Sequence, residues 1–151
     1  SGDIYENGER VYSNNNIPIQ YWKTTNRLVA SVSVANTAYN ILEINFTLNV
    51  RSIVTAIASL YFEWAAINGD KSVDTYIWWD GGSRLDWHRT RYKVSDSNET
   101  HKMLGTQIMD AGNHTLRVYF SFEGAGAVTF NISNDGRLTH LDVVAIPTTA
   151  A

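Results

Sequence analysis

Apolar and polar residues alternate with a period of two over most of this chain, most clearly near its C-terminal end. After the turn Asp110-Ala111-Gly112-Asn113, the side chains of Leu116, Val118, Phe120 and Phe122 fall on one side of a strand. Glu123-Gly124-Ala125-Gly126 turns the chain, Val128, Phe130 and Ile132 repeat the alternation, and Asn134-Asp135-Gly136 turns it again before a last strand over Leu138 to Ile146. Three such strands, each with one apolar face, require a second sheet to cover them.

The preceding sequence supplies that sheet. Leu42, Ile44, Phe46, Leu48 and Val50 alternate strictly with polar residues, and Leu28, Ala30, Val32 and Val34 form a weaker run. Tyr21 to Thr24 is a short strand. Ile53 to Trp64 is apolar on both faces, which places it centrally or against a neighbouring subunit. Its spacing Ile53, Ile57, Leu60, Trp64 also suits a helix, but its β-branched content and the surrounding strands favour a strand. Asn68-Gly69-Asp70 is a turn. Val73 to Trp79 and Ser83 to Val94 form a hairpin about Gly81-Gly82, Ser95 to Glu99 is a polar loop, and His101 to Met109 is a further strand. Roughly nine or ten short strands without an amphipathic helix predict an all-β, jelly-roll-like antiparallel β-sandwich. Parallel βαβ units have no crossover helices to build them.

Residues 1–18 read differently. Ile4 to Glu6 and Glu9 to Tyr12 flank Asn7-Gly8, a type I′ hairpin signal, and Ser13 to Pro18 is a polar breaker. The expected organisation is an N-terminal hairpin and linker arm over 1–18 and a sandwich domain over 19–151. Ser1-Gly2 reads as a cloning remnant, and the chain as part of a longer one.

Composition narrows the function. The chain has 151 residues, 44% hydrophobic, enough for one core. A net charge of −3 gives no global field for nucleic acid. There is no cysteine, hence no disulfide scaffold and no thiolate metal site, and no run has the length of a membrane span. His88, His101, His114 and His140 are far apart and match no paired-ligand spacing, and Asp70, Asp74 and Asp80 lack calcium-loop periodicity. No nucleophile elbow, phosphate loop or dinucleotide fingerprint occurs. No catalytic residue, metal or cofactor is therefore expected.

Three of the five Trp and two of the eight Tyr fall within Tyr76 to Lys93, interleaved with Arg. On a strand, Trp87, Arg89, Arg91 and Lys93 share one side, with His88, Thr90, Tyr92 and Val94 on the other. Flat aromatic faces stack on sugar C–H faces, and guanidinium groups hold hydroxyls, carboxylates or phosphates. Trp79, Asp80, Arg84, Trp87, Arg89, Arg91 and Tyr92 are the candidate ligand-binding residues, with the Asp80-Gly81-Gly82-Ser83 turn lifting them to a rim. The competing reading is core Trp beneath a solvated Arg face.

The segment Gly2 to Pro18 resembles one that recurs in tail fibre proteins of tailed bacteriophages, roughly G-x-I-x-E-N-G-x-x-V-Y-S-P-N-N-x-P, with Asn14 here in place of Pro. Gly112 to Leu116 and Leu138 to Asp142 are similar, more loosely, to strand entries of such fibre tips. The resemblance implies a homotrimeric fibre whose C-terminal domain touches the host surface. Together with the aromatic and Arg-rich stretch, the expectation is a non-enzymatic receptor-binding tip in the virion that binds a host cell-surface polysaccharide or lipopolysaccharide. The alternative is a monomeric carbohydrate-binding module of a polysaccharide-degrading enzyme. A purely structural collar and a depolymerase complete the possibilities.

Overall fold

The computed structural model describes residues 4–6, 9–12, 19–67, 69–93 and 97–148. In chain order the strands are β1 (Ile4–Glu6), β2 (Glu9–Tyr12), β3 (Gln20–Thr24), β4 (Ser31–Val32), β5 (Tyr39–Leu48) and β6 (Ser52–Trp64). They continue as β7 (Lys71–Trp79), β8 (Ser83–Tyr92), β9 (Ser97–Met109), β10 (Gly112–Glu123), β11 (Phe130–Ile132) and β12 (His140–Pro147). No helix occurs among the described residues. β1 and β2 pair with each other, as the N-terminal pattern predicts. The turn Asn7-Gly8 and the breaker Ser13 to Pro18 lie outside the described residues.

The remaining strands form two antiparallel sheets. One has the order β5-β10-β7-β8; the other runs β3-β12-β6-β9, with the short β11 and β4 continuing beside the far end of β6. Among the described strands of these two sheets the main ones switch sheets at almost every connection, and only β7 and β8 are both consecutive and paired. That interleaving is the jelly roll the alternation predicts. It also corrects the reading of the three C-terminal strands as one layer. β10 lies in the first sheet, and β11 and β12 lie in the second.

Burial follows the two-residue period. Ile44, Phe46 and Leu48 of β5 point inward to meet Val54, Ala56, Ala58, Leu60 and Phe62 of β6 and Leu116, Val118, Phe120 and Phe122 of β10. The Phe62 ring sits at the centre, within 5.0 to 6.0 Å (between centroids) of His101, Phe120, Trp64, Tyr92 and Phe130. β6 is a strand along its whole length, not a helix, and it is central: β9 pairs with one edge, and β12 and β11 with the other. Three expectations change. Val50 lies past the end of β5 and is exposed. In the Leu28 to Val34 run only Val32 is buried, because just Ser31–Val32 is in a ladder. Ser97 to Glu99 is the start of β9, paired with Phe62 to Trp64, where a loop is expected.

Candidate functional site: an aromatic and cationic sheet face

The outward face of the β5-β10-β7-β8 sheet is built by the residues that alternate with its buried ones. On β7 these are Ser72, Asp74, Tyr76 and Trp78; on β10 they are Arg117, Tyr119 and Ser121. On β8 they are Arg84, Trp87, Arg89 and Arg91. Simple alternation sets Arg84 apart from Trp87, since three positions separate them. The β7–β8 register shifts here, Ile77 opposing Asp86 and Trp78 opposing Arg84. The extra residue of this bulge turns Arg84 onto the Trp87 face.

Register then lays the side chains in rows across the sheet. The central row is aromatic: Tyr119 opposes Tyr76, and Tyr76 opposes Trp87. The two tyrosine rings stack with centroids 5.1 Å apart and planes at 22°. Trp87 is 47% exposed. The Arg84 guanidinium lies 4.7 Å from the centre of the Tyr76 ring and 5.9 Å from that of Trp87, and Arg89 lies 5.5 Å from Trp87.

An ion pair borders the row on each side. On one, Arg117 Nε donates to Glu43 Oε2 at 2.7 Å. That hydrogen bond is the main reason the Glu43 carboxyl is held below its ordinary pKa. On the other, Arg89 donates through Nε and Nη2 to the two oxygens of Asp74, both at 2.7 Å, and Trp87 Nε1 donates to Asp74 Oδ1 at 3.0 Å. Burial of Asp74 opposes its ionisation. The Arg89 and Trp87 hydrogen bonds and the Arg89 and Arg84 charges outweigh it and hold the carboxyl below its usual range. The Tyr76 phenol is pushed up, chiefly by desolvation. The aromatic edge of the site is therefore clamped: Asp74 fixes both the indole of Trp87 and the guanidinium of Arg89.

Of the seven residues the sequence singles out, this face unites Arg84, Trp87, Arg89 and Arg91. They lie on the open sheet, not on a rim raised by the β7–β8 turn. Tyr92 is a correction. It points into the sandwich, is 6% exposed, and packs on Trp64 with its hydroxyl on His101 Nε2. Trp79 also turns inward; its Nε1 donates to His114 Nδ1 at 3.2 Å, and the backbone of Gly81 lies against its ring. Asp80 is exposed in the turn beyond the rows. Glu43, Asp74, Tyr76, Arg117 and Tyr119 join the site from neighbouring strands. Their signal was in the sequence, because each alternates with a buried position of β5, β7 or β10.

The face offers stacking surfaces and fixed donors and acceptors. Asp86 is engaged elsewhere, accepting from the backbone N–H of Leu104 at 2.8 Å. His114 and His140 are hydrogen-bonded, to Asp110 and Trp79 and to Asp142 respectively. Among the described residues no group of three or more His, Cys, Asp or Glu could hold a metal ion.

No protein-family model and no curated protein matches the chain. Solved structures similar to it include the VP2 subviral particle of infectious bursal disease virus, at 8% identity and a TM-score of 0.42, covering 100% of this chain and 42% of that one. The virus's Gt strain gives 11% and 0.44, covering 100% of this chain and 41% of that one. A GH26-CBM35 β-(1,4)-mannanase of Podospora anserina gives 11% and 0.33, covering 90% of this chain and 29% of that one. The chain thus spans less than half the length of each of these.

Proposed function

We propose that this β-sandwich is a glycan-binding attachment domain, the receptor-binding tip of a bacteriophage tail fibre. The observation that carries the reading is the outward row of half-buried Tyr119 and Tyr76 and exposed Trp87, bordered by two guanidinium–carboxylate pairs. A flat apolar strip takes the C–H face of a pyranose, and the flanking groups take its hydroxyls. Arg84 and Arg91 are exposed and make no ion pair among the described residues, so the face also suits anionic polysaccharide or lipopolysaccharide. The N-terminal segment adds the fibre context through its resemblance and its paired β1 and β2. No catalytic role is assigned to the face.

The fibre reading includes a homotrimer, in which three weak sites act together. Support comes from the opposite side of the molecule. There Ile57 of β6, Leu104 of β9 and Ile146 of β12 are exposed on the outer face of the second sheet. Light scattering should give three times the chain mass; a monomer would favour a module carried by a polysaccharide-degrading enzyme.

The test of the site is binding of the protein to an array of bacterial O-antigen and capsular polysaccharides. Tyr76→Ala and Trp87→Ala should each weaken binding about fivefold to thirtyfold, since stacking and cation–π contacts of this kind are worth roughly 1–2 kcal/mol. Unchanged binding by both variants, with melting temperatures like that of the parent, would refute the site.

A further inference from the structure

Along β10 toward its first residue, the open face passes Arg117 and Trp78 and then dips into a cleft of about 340 Å3 between β5, β10 and the β7–β8 turn. Two side-chain hydrogen bonds span its wall. Thr115 Oγ1 donates to Asn45 Oδ1 at 2.6 Å, and Thr47 Oγ1 donates to Asn113 Oδ1 at 2.7 Å. Each bond occupies a carboxamide oxygen and so fixes which end of the amide is taken. The NH2 group of exposed Asn113 then faces the cleft as a donor, while that of Asn45 hydrogen-bonds to the Glu43 carboxylate. Asp80 completes the lining. Its carboxylate makes no ion pair among the described residues, and Arg117, which feels its charge, is already held by Glu43. The cleft thus sets the Asn113 amide donor against the Asp80 carboxylate. Neighbouring hydroxyls of a pyranose are the complement of that set, since each can donate to a carboxylate and accept from an amide.

We propose that this cleft is a second sugar subsite, reading vicinal hydroxyls of a later residue in the same oligosaccharide that stacks on Tyr76 and Trp87. The inference rests on the aromatic row being a glycan platform and adds a direction and a length to it. Thr115 and Tyr119 are four residues apart on one strand, roughly 13 Å. One sugar cannot bridge that distance; a short linear oligosaccharide running along β10 over Trp78 can. The platform supplies stacking that is tolerant of sugar identity, and the cleft supplies the hydroxyl geometry that discriminates.

The experiment uses the whole chain and oligosaccharides of increasing length, released from whichever array polysaccharide binds, with affinities measured by calorimetry. Wild-type affinity should rise with length. Asp80→Asn and Asn113→Ala alter exposed side chains, and melting curves check their folding. Each should lose about tenfold for the longest oligosaccharide, the scale of one charge-assisted hydrogen bond, and bind the shortest as wild type does. If both variants follow the wild-type length dependence while Tyr76→Ala loses binding, the cleft is no subsite and the platform stands. If wild type binds no polysaccharide, or Tyr76→Ala binds normally, the platform reading falls and the subsite with it.

Discussion

His101 is fully buried, with Thr75 Oγ1 2.8 Å from Nδ1, and with Thr90 Oγ1 and the Tyr92 hydroxyl 3.1 and 3.0 Å from Nε2. A proton on Nδ1, given to Thr75, leaves Nε2 to accept from the other two hydroxyls. Burial first, and then His88 stacked 3.9 Å away, lower its pKa from 6.5 to about 3. The folded state therefore refuses a proton that the unfolded chain accepts below pH 6.5. Stability should be full above that pH and fall as acid is added, by about 2 kcal/mol at pH 5 from this residue. Denaturant titrations at pH 7 and pH 5 measure the difference, and His101→Gln, weaker at both, should show a smaller one. Residue-level fate was only half legible. Trp87 and Tyr92 belong to one aromatic and basic stretch, and alternation does separate their faces. Which face met the core depended on β9, which brings His101 up to receive Tyr92.

At the scale of elements, the β8 bulge and Gly105 go together. A Cβ on Gly105 would stand 2.5 Å from Leu85 Cβ and 2.7 Å from Leu85 O, so β9 passes β8 at a point where only glycine fits. Asp86, the other residue between Arg84 and Trp87, takes the Leu104 N–H beside it. The two sheets are thus joined at this edge by the same residues that shift the β8 register. Gly105→Ala should destabilise the fold by about 1–3 kcal/mol, as overpacking does, and thermal melting would show it. On the proposed glycan-binding reading it should also weaken binding, because Arg84 faces Trp87 only while the bulge holds. Strand positions were readable from alternation because each had a wet side and a dry side. The bulge was not, since one extra residue leaves no mark on hydrophobicity, and Ser97 to Glu99 were too polar to look like a strand that extends β9 along β6.

For the whole molecule, the jelly roll was legible because repeated short amphipathic strands have few other ways to close a core. Which strands shared a sheet was not, because crossing between sheets depends on connections whose length permits either choice. The centre of the result is Phe62, ringed by aromatic groups from both sheets. Phe62→Ala should cost about 3–5 kcal/mol, the usual toll of emptying a filled aromatic site. Urea unfolding should then show a lower midpoint with an unchanged slope. A smaller loss would mean that Phe120 and Phe130 collapse into the space.

β3 and β12 lie side by side and antiparallel, with Gln20 opposite Ala145. Tension applied between residues 19 and 148 would therefore meet one pair of backbone bonds at a time and open the edge like a zipper. Tension entering at residue 19 and leaving through a ligand on the far sheet would cross the sandwich, where bonds of several strands share the load.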